Sequence, residues 1–129
     1  EMVTIRVYAM SGCDYYAEQM RVLVPVLRRT LNYTRLEVVP IGTGTFSEGF
    51  VSLGGPSATR ADVHLLCAQP WTTSSRYDIT YDSFLEYVEC LANLEGDRTN
   101  PDNLEDCAQM REGKILVTAT HHHKSHQPS

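Results

Sequence analysis

The chain carries four cysteines, Cys13, Cys67, Cys90 and Cys107, and the setting of Cys13 is the one that predicts reactivity. It follows Val3-Thr4-Ile5-Arg6-Val7-Tyr8-Ala9, in which Val3, Ile5, Val7 and Ala9 point one way and Thr4, Arg6 and Tyr8 the other. That alternation of good β-formers is a half-buried strand. It stops at Ser11-Gly12, where a helical pattern takes over, so Cys13 falls at a strand-to-helix turn. The unpaired N–H groups and positive dipole end of the helix favour a thiolate there and predict a lowered thiol pKa. Asp14 opposes this with a like charge one residue away. Single-thiol exchange, or a stable mixed disulfide with a client, is the chemistry open to such a residue. The competing expectation is a cysteine bonded structurally, for instance to Cys67, or an inert half-buried thiol. Tyr15 and Tyr16 either line a peptide-binding surface beside Cys13, as tyrosines do at binding hot spots, or divide between packing under the helix start and simple exposure.

The elements that must position Cys13 follow in order. Asp14 to Leu31 reads as a helix, with Met20, Leu23, Val24 and Leu27 at spacings of three and four. Pro25 lies inside it and is expected to kink it. Thr34 to Ile41 reads as a strand, which makes a strand–helix–strand unit that normally returns parallel. Residues 41–59 are rich in Gly, Ser and Thr and read as a loop, with a short extended piece around Phe50 to Leu53. Val63-His64-Leu65-Leu66-Cys67 reads as a second short apolar strand, and Ala68 to Asp78 as irregular. Trp71, beside Pro70, reads as a satellite core anchor. Thr80 to Glu95 carries the helical stripe Phe84, Val88 and Leu91, stopped by Gly96. Asn100 as cap and Pro101 at the first helical position start another helix, ended by Gly113. Pairing of these two helices would bring Cys90 and Cys107 together. Ile115 to Thr118 reads as a strand or a further helical turn, and 121–129 as a loose His-rich tail.

Composition narrows the function classes. The 129 residues are 42% hydrophobic and carry a net charge of -5, which suits one globular domain and argues against a nucleic-acid partner. No apolar run reaches the roughly 18 residues that span a bilayer. Four cysteines allow two disulfides in three connectivities. Their spacing does not resemble a zinc site. The tail histidines gain charge near pH 6 but lack a scaffold, so no metal and no cofactor is expected. Residues 42–55 lack the pattern of a phosphate loop. Asn32-Tyr33-Thr34 is an N-glycosylation sequon, and with the cysteines it leans toward the secretory pathway. A chain opening at Glu1 is also what removal of a leader would leave.

Taken together, these segments resemble the gamma-interferon-inducible lysosomal thiol reductase family. The resemblance rests on their order: a strand running into Cys13 at a helix start, Pro25 about a dozen residues on, and a strand ending Val38-Val39-Pro40-Ile41-Gly42. Cys67 follows where the family has a Cys-Gln-His-Gly signature. Glu89-Cys90-Leu91 and Asn103-Leu104-Glu105-Asp106-Cys107-Ala108 resemble the family's later cysteine-bearing helices, and Asn32 lies where its members are often glycosylated. The resemblance implies a thioredoxin-like fold with a helical insertion, and disulfide reduction at acid pH in endosomes and lysosomes. There, one cysteine of a Cys-x-x-Cys motif attacks the substrate disulfide and the second resolves the mixed disulfide. The chain departs from that pattern in three places. Tyr16 stands at the resolving position of Cys13-Asp14-Tyr15-Tyr16, and the signature is reduced to Cys67-Ala68-Gln69-Pro70. After the insertion, Pro128 would be the remnant of the fold's cis-proline, with the closing strands absent or supplied otherwise.

The expectation is therefore an α/β, thioredoxin-like domain over 1–120 with a helical pair inserted over about 80–113, lacking the closing strands in its incomplete form. Its function is that of a thiol–disulfide oxidoreductase relative with weakened or lost dithiol activity, acting through Cys13 on a protein or peptide client. The alternative is a non-catalytic secreted binding module that uses the same surface, including Tyr15, Tyr16 and Pro128, for a protein partner. Either would work in the secretory pathway, in lysosomes and endosomes or outside the cell, with no membrane span. A homodimer is one way to cover a missing sheet edge.

Overall fold

The computed structural model of the chain describes residues 2–45, 47–71 and 79–109. Its elements are β1 (Val3–Ala9), α1 (Asp14–Arg29), β2 (Thr34–Pro40), β3 (Gly42–Thr43), β4 (Val51–Ser52), α2 (Pro56–Cys67), α3 (Tyr81–Ala92) and α4 (Pro101–Ala108). The fold is mixed α/β. β1 and β2 pair in parallel, with Ile5 opposite Leu36 and Val7 opposite Val38. These four side chains share a face and feed the core, whereas Arg6 opposite Glu37 lies on the outer face and closes an ion pair at 3.1 Å. β3 and β4 form a small antiparallel hairpin. The extended piece expected near residue 51 is thus real, and it has a partner strand that the glycine-rich composition concealed.

α1 buries Ala17, Met20, Val24 and Leu27, the stripe its periodicity predicts. It packs on α3, which returns Phe84, Leu85, Tyr87 and Val88 to the same core. The helix runs unbroken through Pro25. Proline removes one intrahelical N–H, but the buried face on either side keeps the helix in one piece. α3 and α4 begin where their caps place them: Thr80 accepts from Ser83 N–H, and Asn100 accepts from Asp102 N–H with Pro101 next. α3 ends at Ala92, short of Gly96.

The stretch 63–67 is not a strand. It is the last part of α2, which buries Ala58, Ala61, Asp62 and Leu65 at helical spacing while Val63 faces out. The start signal lies upstream: Gly55, with a positive φ of 93°, precedes Pro56 at the first helical position. The outer edge of β2 is covered by side chains. Gln69 accepts from Val38 N–H at 2.8 Å and donates to Val38 carbonyl at 3.0 Å, and the Tyr81 hydroxyl accepts from Leu36 N–H at 2.8 Å. Trp71 packs against the core beside Tyr81 and Phe84, with the Arg35 guanidinium 4.1 Å over its ring. The expected end of the last helix at Gly113, the segment Ile115 to Thr118, Pro128 and the His-rich tail lie outside the described residues.

Candidate functional site

Cys13 is the N-cap of α1, in extended backbone with φ -76° and ψ 125°. Its carbonyl accepts from Ala17 N–H and its N–H donates to Met10 carbonyl, each at 3.1 Å. The side chain makes no capping hydrogen bond, and the thiol is free and half-buried. The sulfur therefore belongs to the residue that opens the helix, at the end where N–H groups lack helical partners and the dipole is positive. It opens onto a groove of about 630 Å³ whose walls include Tyr8, Met10, Tyr15, Tyr16 and Ile41, with Glu18 at the acidic side. Tyr15 is 83% exposed. Both tyrosines expected beside Cys13 line this groove.

Tyr16 does more than line it. The residue is half-buried and packs against the core, with its hydroxyl end in the interior. Burial pushes its phenol well above the ordinary tyrosine range, and the charge of Asp62 adds to the shift. Its other side borders a small inner cavity walled by Ser11, Gly12, Leu65 and Arg98. Position 16 is thus filled by an aromatic side chain between groove and core.

The turn carrying Cys13 is held from two sides. Ser11 N–H donates to Asp62 Oδ1 at 3.0 Å; Asp62 is fully buried, and its Oδ2 has no hydrogen-bond partner. From the other side, Arg98 Nη1 donates to Asp14 Oδ1 at 2.8 Å. Gly12 adopts φ +90°, and a Cβ there would stand 3.2 Å from Thr99 Cγ2. The left-handed backbone favours glycine at this position, and a Cβ there would crowd Thr99. Sequence reading missed Asp62 and Arg98. Asp62 sits on the helix mistaken for loop and strand, and Arg98 is 84 residues from its partner in a polar turn with no local signal.

The remaining cysteines separate by role. Cys90 on α3 and Cys107 on α4 form a disulfide, with Cα atoms 5.6 Å apart. Disulfides persist in oxidising compartments. Cys67, expected among the disulfide-bonded residues, is free at the end of α2. The residue is exposed, yet partial burial of its thiol raises the pKa. It joins neither Cys13 nor the Cys90–Cys107 bridge. Because 63–67 is helical, Cys67 also lacks the strand that was expected to lead into it. Asn32 is exposed in the turn between α1 and β2, where a glycan would meet no obstruction from the core.

Among the described residues, no group of three or more His, Cys, Asp or Glu side chains is placed to hold a metal ion. No described helix is long and apolar enough to cross a membrane. Compared with known proteins, the chain matches no family model, and no curated protein or solved structure is significantly similar to it.

Proposed function

We propose that the chain is a thiol–disulfide oxidoreductase relative of the lysosomal thiol reductase kind, acting on a protein or peptide client through Cys13 alone. The observation that carries this reading is a free cysteine capping α1 at the end of a sheet strand, open to an apolar groove. The parallel β1–α1–β2 unit suits a thioredoxin-like fold, with α3 and α4 as the inserted pair. In the first step the Cys13 thiolate attacks one sulfur of a client disulfide. A Cys13–client bond forms, the client S–S bond breaks, and the departing sulfur leaves with the electron pair as a thiolate. Tyr16 has no thiol with which to complete the exchange. Release requires two equivalents of an external small-molecule thiol. The first attacks the Cys13 sulfur, breaks the Cys13–client bond and expels the client thiolate. The second attacks the small thiol's sulfur in the resulting disulfide, returning the Cys13 thiolate and leaving a disulfide of the small thiol. The reading places the protein in the secretory pathway and its endolysosomal or extracellular destinations, in keeping with the Cys90–Cys107 bond and the accessible Asn32.

A second reading has its own support. Tyr16 is packed into the core beside Cys13, and Tyr8 and Tyr15 stand exposed along the groove, which suits a binding module that holds a client without chemistry. The experiment that separates the two is iodoacetamide labelling of the native protein from pH 4 to 8, with peptide mass mapping. Rapid labelling of Cys13 over Cys67, and a mixed disulfide with a disulfide-bonded peptide that Cys13→Ser abolishes, support the single-thiol reading. An inert Cys13 in a folded protein rules it out and leaves the binding module.

A further inference from the structure

The turn that presents Cys13 is braced by a second turn, and that second turn is itself tied down. α3 is fixed to α1 by Arg28, whose guanidinium meets Glu86 at 3.3 Å and Glu89 at 3.0 Å. Arg21 Nε adds a bond to the Ala92 carbonyl at 2.7 Å, at the end of α3. The Cys90–Cys107 disulfide then joins α4 to α3 across the connecting residues 93–100. Within that connection Asp97 accepts from Thr99 Oγ1 at 2.7 Å and from Thr99 N–H at 2.9 Å, while Asn103 Nδ2 donates to Asp97 carbonyl at 2.8 Å. Two of its side chains reach the Cys13 turn: Thr99 lies against Gly12, and Arg98 holds Asp14. The Arg98 side chain is 13% exposed, against 83% for Asp14, so packing fixes the cation and the carboxylate comes to it.

Asp14 adjoins Cys13, so its carboxylate works against a thiolate there, as does that of Glu18 in the groove wall. A guanidinium bonded to the Asp14 carboxylate offsets its repulsion, and it does so only while the α3–α4 connection stays in place. We propose that Arg98 is a positioning residue for Cys13, and that the Cys90–Cys107 disulfide sets the reactivity of Cys13 by holding Arg98 on Asp14. This rests on the reading of Cys13 as the reactive thiol. The buried Asp62, bonded to Ser11 N–H, fixes the opposite side of the turn.

The test is the rate of iodoacetamide labelling of Cys13 at pH 7 in the full chain, with Cys67 as internal reference. Exposed ion pairs couple weakly, so Arg98→Ala is expected to slow Cys13 about two- to fivefold. Arg98→Lys recovers most of the rate. Asp14→Asn in the Arg98→Ala background restores it, because the charge that needed offsetting is gone; a packing defect would not be repaired that way. Cys90→Ser/Cys107→Ser is expected to slow Cys13 at least as much, with little further loss on adding Arg98→Ala. Labelling of Arg98→Ala at the wild-type rate, or a loss that Asp14→Asn does not restore, overturns the proposal. So does wild-type labelling in a folded, disulfide-free variant; if that variant does not fold, the Arg98 and Asp14 pair decides alone. Should wild-type Cys13 not label at all, the functional reading fails. Amide exchange at Gly12 and Cys13 then judges the brace: faster exchange without the disulfide sustains it, and unchanged exchange overturns it.

Discussion

Tyr16 shows how one residue alters the chemistry available to its neighbour. Its ring closes the space under Cys13 and its hydroxyl end lies in the interior, where burial and Asp62 favour the neutral phenol. A raised folded pKa has a definite consequence for stability. The contribution is fully present below the unfolded tyrosine pKa of about 10 and is lost as pH climbs above it toward the folded value. Urea midpoints measured from pH 8 to 11 should therefore fall at the alkaline end. Tyr16→Phe should reduce that fall without abolishing it, because the buried Tyr87 is shifted in the same direction by burial. An equal alkaline loss in Tyr16→Phe would mean that Tyr16 ionises freely. Asp97 has the opposite sign. Hydrogen bonds from Thr99 hold its carboxyl below the usual range, so what they contribute is present above the unfolded Asp pKa of about 3.9 and lost only as pH falls through the lower folded value. The turn that carries Arg98 should keep these bonds at mildly acid pH.

Among the elements, β2 depends on a device that strand pairing alone does not supply. On the side away from β1, both the N–H and carbonyl of Val38 are met by the Gln69 amide, and residue 69 is buried. A side-chain amide thus takes the place of a third strand at that point and lets the chain leave α2 without stranding polar groups. Gln69→Leu keeps the bulk but leaves two buried backbone groups unpaired, at about 1–3 kcal/mol each before any relaxation. We expect a loss of about 2–4 kcal/mol in chemical denaturation with the helical signal intact. A loss below about 0.5 kcal/mol would show that water reaches Val38 when Gln69 is gone.

Across the whole molecule, one core is shared by β1, β2, α1, α2, α3 and α4, and the Cys90–Cys107 bond staples its helical corner. The bond closes a loop of 17 residues in sequence separation, for which chain entropy gives about 3 kcal/mol of stabilisation. Domains of this size hold about 5–15 kcal/mol in total. Cys90→Ser/Cys107→Ser should therefore unfold at lower urea but remain folded in its absence, provided the core supplies the rest. A variant that loses its cooperative transition altogether would show that the core on its own is insufficient.

β1, α1 and the start of α4 were legible in the sequence because their causes are local. The alternation Val3 to Ala9 made β1, the spacing of Met20, Val24 and Leu27 made α1, and Asn100-Pro101 started α4. The position of Cys13 at the strand-to-helix turn follows from those patterns, whereas the pairing of Cys90 with Cys107 was one of three open connectivities until the packing of α4 on α3 fixed it. Which residues surround Cys13 depends on the packing of distant segments. Asp62 and Arg98 carry no local mark, because a lone Asp on a helix and a lone Arg in a polar turn look solvated until the fold brings them to Ser11 and Asp14. The misreading of 63–67 has the same origin: a short apolar run suits a strand or a buried helix equally, and the packing of Ala58, Ala61 and Leu65 settled it as helix. Long-range contacts are set by the folding of the whole chain, and no spacing along the sequence encodes them.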